Sequence, residues 1–160
     1  MDNSTARPAP PRPPTRILVA DDEPVIREFV AGILTELGHE TLRARTGDEA
    51  LTLAHERRPD LILLDINMPG MSGIEVCQRL RADLSTRDIP ILIVSGLDAK
   101  SALEESIVAG ADDFLTKPVD AFELSVRVRS ILATRSIRDD DKRLEAYIQT
   151  LRQLRERGGR

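Results

Sequence analysis

Four apolar runs in this chain each end on a residue type suited to phosphate or metal chemistry. Ile17-Leu18-Val19-Ala20 stops at Asp21-Asp22, and Leu61-Ile62-Leu63-Leu64 stops at Asp65. Ile89 to Val94 stops at Ser95, and Phe114-Leu115-Thr116 stops at Lys117-Pro118. Open α/β sheets bind ligands at the carboxyl ends of their strands. If the four runs are parallel strands of one sheet, three carboxylates, a hydroxyl and an ammonium share one edge. That set points to Mg²⁺-assisted phosphoryl transfer.

Each of these residues also has a plainer explanation. Asp is a preferred helix N-cap, and Asp22 is placed to cap a helix starting at Pro24. A cap explains one carboxylate and leaves the other. Adjacent acids with Glu23 beside them repel unless a cation neutralises them, and Mg²⁺ is commonly held by one or two carboxylates with retained waters. Asp65 ends a very apolar run, where a carboxylate is costly without partners; it is a candidate metal ligand and a candidate nucleophile towards phosphorus. Ser95 taken alone is an ordinary loop serine. Lys117 is a compact charge suited to phosphate oxygens, and it is one of three lysines among 23 basic residues. His39 and His55 lie away from all four run ends and are assigned no role.

The elements that must position these residues follow from periodicity. Arg16 to Ala20 reads as a strand, followed by Pro24 at a first helical position. Val25, Ile26, Phe29, Val30, Ile33, Leu34 and Leu37 follow at amphipathic spacing, and Gly38 closes the helix. Thr41 to Ala44 is a weaker strand, and Gly47 to Arg57 a second helix. Leu61 to Leu64 and Ile89 to Val94 are continuously apolar, as expected of strands covered on both faces. Ile74, Val76, Cys77 and Leu80 mark a third helix after a loop from Asn67 to Gly73. Leu103, Ile107 and Val108 suggest a fourth, ended by Gly110. Phe114 to Thr116 and Phe122 to Leu132 complete five β/α units, which implies a parallel sheet with helices on both faces.

The segments outside this body differ. Residues 1–15 hold half of the ten prolines and are expected to be an extended, disordered leader. In residues 136–160, Ile137, Leu144 and Leu151 are spaced by seven, with Ile148 and Leu154 beside them. This charged helical tail is expected to extend the fifth helix and to mediate self-association or join an effector.

Composition narrows the function. Hydrophobic residues are 41% and aromatics 2%, so the core is aliphatic. A single cysteine, Cys77, excludes an intrachain disulfide, suits a reducing compartment and is read as a helix-packing thiol. No run approaches the roughly 20 apolar residues that span a bilayer, and no secretory signal is seen. A cytoplasmic protein without membrane attachment is therefore expected. Residues 136–160 hold seven basic and five acidic side chains and residues 1–15 two and one, so of the formal −4 the body 16–135 carries −7. Direct nucleic-acid binding, which needs clustered Lys and Arg, is not expected.

Taken together, Val19-Ala20-Asp21-Asp22-Glu23-Pro24, Leu63-Leu64-Asp65-Ile66-Asn67-Met68-Pro69-Gly70-Met71-Ser72-Gly73, Ser95-Gly96 and Gly110-Ala111-Asp112-Asp113-Phe114-Leu115-Thr116-Lys117-Pro118 resemble the receiver domain of bacterial response regulators. The resemblance covers about residues 16–135. It implies a flavodoxin-like doubly wound sheet of order 2-1-3-4-5, and a phosphoryl group accepted on Asp65 from a sensor histidine kinase or phosphotransfer protein. Asp22 and Asp65 would bind Mg²⁺ directly with the Asn67 backbone carbonyl, and Asp21 mainly through water. Ser95, Lys117 and the Gly96 amide would contact the phosphoryl oxygens. Phe114 matches the aromatic switch position coupled to Ser95, and the Lys117–Pro118 bond is often cis in such domains. Phosphorylation would alter the surface of the fourth helix, fifth strand and fifth helix, and with it the affinity for an effector protein.

The chain departs from the pattern of receivers joined to winged-helix domains. Where these usually carry a basic residue on the fourth helix, this sequence has Glu105, facing a region with Glu123, although Asp113 and Arg127 match another pair of their dimer. Two homodimer surfaces are thus candidates, the tail and the face of the fourth helix, fifth strand and fifth helix. The 25 residues after the body are too few for an output domain. The expectation is a single-domain regulator or a receiver separated from its effector, promoting only its own phosphorylation and dephosphorylation. Two rivals are a Mg²⁺-dependent phosphohydrolase of the haloacid-dehalogenase type, which wants Asp where Asn67 stands, and a pseudo-receiver that binds partners without phosphorylation.

Overall fold

The computed structural model describes residues 13–96 and 99–158. Apart from residues 13–15, the expected leader lies outside the described residues. Strand β1 (Arg16–Ala20) leads to helix α1 (Pro24–Glu36), β2 (Glu40–Ala44) to α2 (Gly47–Arg57), and β3 (Leu61–Asp65) to α3 (Gly73–Ala82). β4 (Ile91–Ser95) leads to α4 (Ala99–Ala109), and β5 (Asp113–Thr116) to α5 (Ala121–Thr134); a sixth helix, α6, spans Asp140–Gly158. All strand pairs are parallel, in the order β2-β1-β3-β4-β5. This is the doubly wound sheet the sequence implied. No helix among the described residues is long and apolar enough to cross a membrane.

Alternation along the strands splits the core into two layers. Leu18, Ala20, Ile62, Leu64, Ile91 and Ile93 pack with Ala50, Ala54, Val76, Cys77, Leu80 and Ala102 of α2, α3 and α4. On the other face, Ile17, Val19, Leu61, Leu63, Leu92, Val94 and Leu115 meet Val30 and Leu34 of α1 and Leu124, Val128 and Ile131 of α5. Strands β3 and β4 are buried at every residue, which explains their uninterrupted apolar runs. Cys77 is buried, donates its thiol to the Ala109 carbonyl at 3.4 Å, and is a packing residue. Burial pushes its pKa up.

Helix faces depart from the sequence reading in three places. In α4 the apolar Leu103, Ile107 and Val108 are 41%, 64% and 85% exposed, while Ala102, Ser106 and Ala109 face inward. Small side chains let α4 lie close to the sheet, and the Ser106 hydroxyl is satisfied by the Ala102 carbonyl at 2.6 Å. In α1, Val25 and Phe29 are exposed and Arg27 is buried. The N-cap of α1 is Glu23, without a side-chain cap; Asp21 Oδ1 accepts the Glu23 amide at 2.9 Å, so Asp22 is not the cap.

The tail does not extend α5. The helix ends at Thr134, residues 135–139 turn, and α6 returns antiparallel along α5, so that Gly158 lies against the Phe122 ring. Asp139 starts the new helix: its carboxylate accepts the Lys142 amide at 3.1 Å, with Asp140 and Asp141 in the first turn. Acids at a helix N-terminus are favoured by its dipole, so the acidic run that interrupts the heptads is a start signal. The half-buried stripe of α6 is Arg143, Ala146, Tyr147, Thr150, Leu151 and Leu154, whereas Leu144 is 58% exposed.

Two local devices fix the sheet ends. Arg81 binds the Gly110, Arg87 and Ile89 carbonyls at 2.8, 2.9 and 2.7 Å and Asp112 at 2.8 Å. Asp112 also accepts the Ile91 amide, so the starts of β4 and β5 are tied together. At the other end of the sheet, the Gly73 amide donates to the Ile66 carbonyl at 2.9 Å. A Cβ on Gly73 would collide with the Asp65 carbonyl oxygen and lie 2.9 Å from the Ile66 Cα. Gly32, on the exposed side of α1, has nothing within 4 Å of that position.

Gly73→Ala should destabilise the fold by about 1–3 kcal/mol through overpacking, whereas Gly32→Ala should stabilise it by about 0.5–1 kcal/mol through helix propensity. Denaturant midpoints of the two variants check this, and equal midpoints would contradict the close approach at Gly73.

Candidate functional site

The carboxyl edge of the sheet brings the expected residues together. Asp21 follows β1, Asp65 and Ser95 end β3 and β4, and Lys117 follows β5. Strand register sets their depth: Asp65 pairs with Val94, and Ser95 with Thr116. Asp21, Asp65 and Ser95 are 4%, 3% and 0% exposed, with Asp22 half-buried at the rim. One oxygen from each of Asp21, Asp22 and Asp65 lies within 4.8 Å of the others. Three hard oxygen donors at that spacing fit a divalent cation with waters completing its shell.

Lys117 Nζ lies 3.0 Å from Asp21, 3.5 Å from Asp65 and 3.8 Å from Glu23. Its amide donates to the Ser95 carbonyl at 2.8 Å, and the Lys117–Pro118 bond is cis. Burial disfavours the ammonium, but Asp21, Asp65 and Glu23 outweigh it and hold its pKa above the usual lysine value. The Lys117 stem fills the space beside Gly96, 3.6 Å from where a Cβ would sit. Asn67 is exposed and its amide reaches Asp65 Oδ1 at 3.4 Å. Phe114 is half-buried against the core layer of α2, α3 and α4.

Two contributors were missed in the sequence. Arg27 is buried behind the acids and donates from Nη1 to the Asp21 carbonyl at 2.9 Å, fixing the turn that carries Asp21 and Asp22. A charged residue between Ile26 and Val30 was the available signal. Gly73 brings the start of α3 against the Asp65 backbone; the sequence places it only at a loop end.

Burial, then the Asp21 charge, pushes the Asp65 pKa up to about 6, while Lys117 and the Asn67 amide pull the other way. A carboxyl whose folded pKa lies above its unfolded value of 3.8 binds its proton more tightly when folded. Stability then falls as pH rises from about 4 through about 6. In a chelator, Asp65→Asn should therefore exceed the parent chain in stability by about 1–3 kcal/mol at pH 7.5 and by little at pH 4.5. Denaturant unfolding at both values checks this, and a gap independent of pH would refute it.

Comparison with known proteins agrees with this geometry. The response regulator receiver domain profile matches residues 17–129. The response regulator PleD of Caulobacter vibrioides is 40% identical over 131 residues, 82% of this chain and 29% of PleD. The DNA-binding dual master transcriptional regulator RpaA of Synechocystis is 42% identical over 73% of this chain and 48% of its own. The phosphate regulon transcriptional regulatory protein PhoB of Pseudomonas aeruginosa is 39% identical over 81% and 56%. The chain thus spans less than two thirds of each of these relatives. Among solved structures, a CheY-like response regulator receiver domain protein from Methanospirillum hungatei superposes with a TM-score of 0.72 at 28% identity, covering 77% of this chain and 97% of that one. The receiver domain of NtrX from Brucella abortus gives 0.69 at 36% identity, covering 74% and 98%. With its profile match, its sheet order and its acid–lysine edge, the chain belongs to the response regulator receiver domain family.

Proposed function

We propose that this chain is a phosphorylation-controlled interaction module whose phosphoacceptor is Asp65. The observation that carries the reading is the meeting of Asp21, Asp22 and Asp65 with Lys117 at one sheet edge. An Asp65 carboxylate oxygen forms a bond to the phosphorus of a phosphohistidine on a sensor kinase or phosphotransfer protein. The P–N bond breaks, and its electron pair leaves with the imidazole nitrogen. Hydrolysis of the resulting acyl phosphate returns Asp65 and inorganic phosphate.

Asp21, Asp22, Asp65 and the Asn67 carbonyl are the proposed holders of Mg²⁺, which when bound would offset the charge gathering on phosphorus and the acids. Lys117 is already oriented by Asp21 and follows the incoming oxygens, a preorganised positive charge. Ser95 and the Gly96 amide take the remaining oxygens. Phosphorylation adds about −1.5 to −2 charges among the acids, so ammonium and metal are both needed. Ser95 moving towards the phosphoryl group would draw Phe114 inward and reshape the surface beside it.

Exposed Val25 and Phe29 begin α1 directly after the acids, an apolar patch suited to a helix of the phosphate donor. The downstream partner is a protein effector in the cytoplasm; the body charge of −7 disfavours direct nucleic-acid contact. Family membership leaves the phosphohydrolase reading without support, and the complete acid–lysine set speaks against a pseudo-receiver.

With Mg²⁺ and acetyl phosphate, the chain should gain the mass of one phosphoryl group, and Asp65→Asn or a chelator should abolish the gain. Lys117→Ala should slow the reaction about ten-fold or more, roughly 1.4 kcal/mol of transition-state stabilisation. Intact-mass kinetics check this; labelling that survives Asp65→Asn would exclude Asp65 as the acceptor.

A further inference from the structure

Beyond the phosphoryl site, the most specific arrangement in the molecule lies where α6 meets β5 and α5. Asp113, the first residue of β5, accepts two hydrogen bonds from Arg127 of α5, at 2.7 and 2.8 Å. The Tyr147 hydroxyl of α6 donates to the same carboxylate. Further along, Arg155 of α6 lies 3.0 Å from Glu123 of α5, and the end of α6 abuts the Phe122 ring, which stays 44% exposed. The receiver body therefore presents two carboxylates and an aromatic ring in a row, and α6 supplies a phenol, a guanidinium and a flat glycine end in matching order. We propose that the β5–α5 face is a helix-docking site filled in cis by α6, and that docking of α6 and phosphorylation of Asp65 oppose one another. The proposal rests on Asp65 being the phosphoacceptor.

The contact is built to be displaceable. No residue of α6 is fully buried, and Leu144 and Ile148 remain 58% and 39% exposed. A groove of about 1100 Å³ opens beneath the turn between the helices, lined by Ile131, Ile137, Leu144 and Tyr147 among others. A helix held by few buried apolar groups opens at low cost while the core stays folded. Its latch nonetheless grips a strand that the phosphoryl site also grips. Asp113, Leu115 and Lys117 alternate along one side of β5, so the same short segment carries the latch carboxylate at its start and the phosphate-binding ammonium at its end.

In the unmodified chain, Lys117 sits nearer Asp21 than Asp65. A phosphoryl group on Asp65 draws Lys117 and Ser95 towards it, and β5 shifts with them. Because Asp113 adjoins Asp112, which Arg81 holds in place, the pull is felt there as strain on the bonds to Arg127 and Tyr147, which tolerate little distortion. Because coupling between two sites is reciprocal, releasing α6 must favour the phosphorylated form by the same factor.

The full chain tests this through amide hydrogen exchange with and without beryllofluoride and Mg²⁺, alongside intact mass after acetyl phosphate treatment. The latch predicts that α6 amides exchange about five-fold or more faster in the beryllofluoride form, within the usual range of coupling. Tyr147→Phe and Arg155→Glu should each tighten beryllofluoride binding by a few-fold, although neither residue is bonded to Asp21, Asp22 or Asp65. Absence of the phosphoryl mass gain on the parent chain would overturn the phosphoacceptor reading and the latch with it. A normal mass gain with unchanged α6 exchange, or with unchanged beryllofluoride affinity in both variants, would overturn the latch alone.

Discussion

Three carboxylates at one edge of a parallel sheet, two of them almost fully buried, would force each other apart without a positive charge among them. Lys117 supplies it. Its position follows from β5 pairing beside β4, whose neighbour β3 carries Asp65, so the ammonium reaches the acids only if the strand order is correct. Burial strengthens repulsion and attraction alike, since both act in a low dielectric. Asp65 remains hard to ionise despite this neighbour, and that residual discomfort is what a cation would relieve. The edge is thus a binding site because its own charges are incompletely balanced.

The same constraint decides what surrounds it. Arg27 is spent inside α1 to hold the Asp21 carbonyl, and a glycine is demanded at Gly73 so that α3 can begin against the Asp65 backbone. Neither residue touches a phosphoryl group in the proposed chemistry. Both hold the backbone on which the acids stand, which is the usual requirement for a precise site.

Much of this was legible in the sequence, because strands covered on both faces read as apolar runs and the chemistry sits where those runs stop. The parallel sheet and the meeting of Asp21, Asp22, Asp65, Ser95 and Lys117 followed from that pattern, whereas the strand order came from the resemblance to receiver domains. Helix faces were less legible. In α4, apolar residues at 103, 107 and 108 suggested the inner face, yet the smaller Ala102, Ser106 and Ala109 pack inward, since close approach to the sheet selects size over hydrophobicity. The tail misled for a related reason. Its heptad spacing of Ile137, Leu144 and Leu151 ignores Asp139, whose capping begins a separate helix after α5 has ended at Thr134. A local polar interaction outweighed the longer apolar pattern.

Arg81 carries a mechanical consequence. By fastening the carbonyls before β4 and β5 and the Asp112 carboxylate to one guanidinium, it clamps these strands at their entry ends, while their exit ends carry Ser95 and Lys117 to the acidic edge. The pair is a cantilever: rooted on one side, free to deflect on the other. A load at the tip therefore gathers as strain at the root, beside Asp113, and the deflection springs back when the load departs.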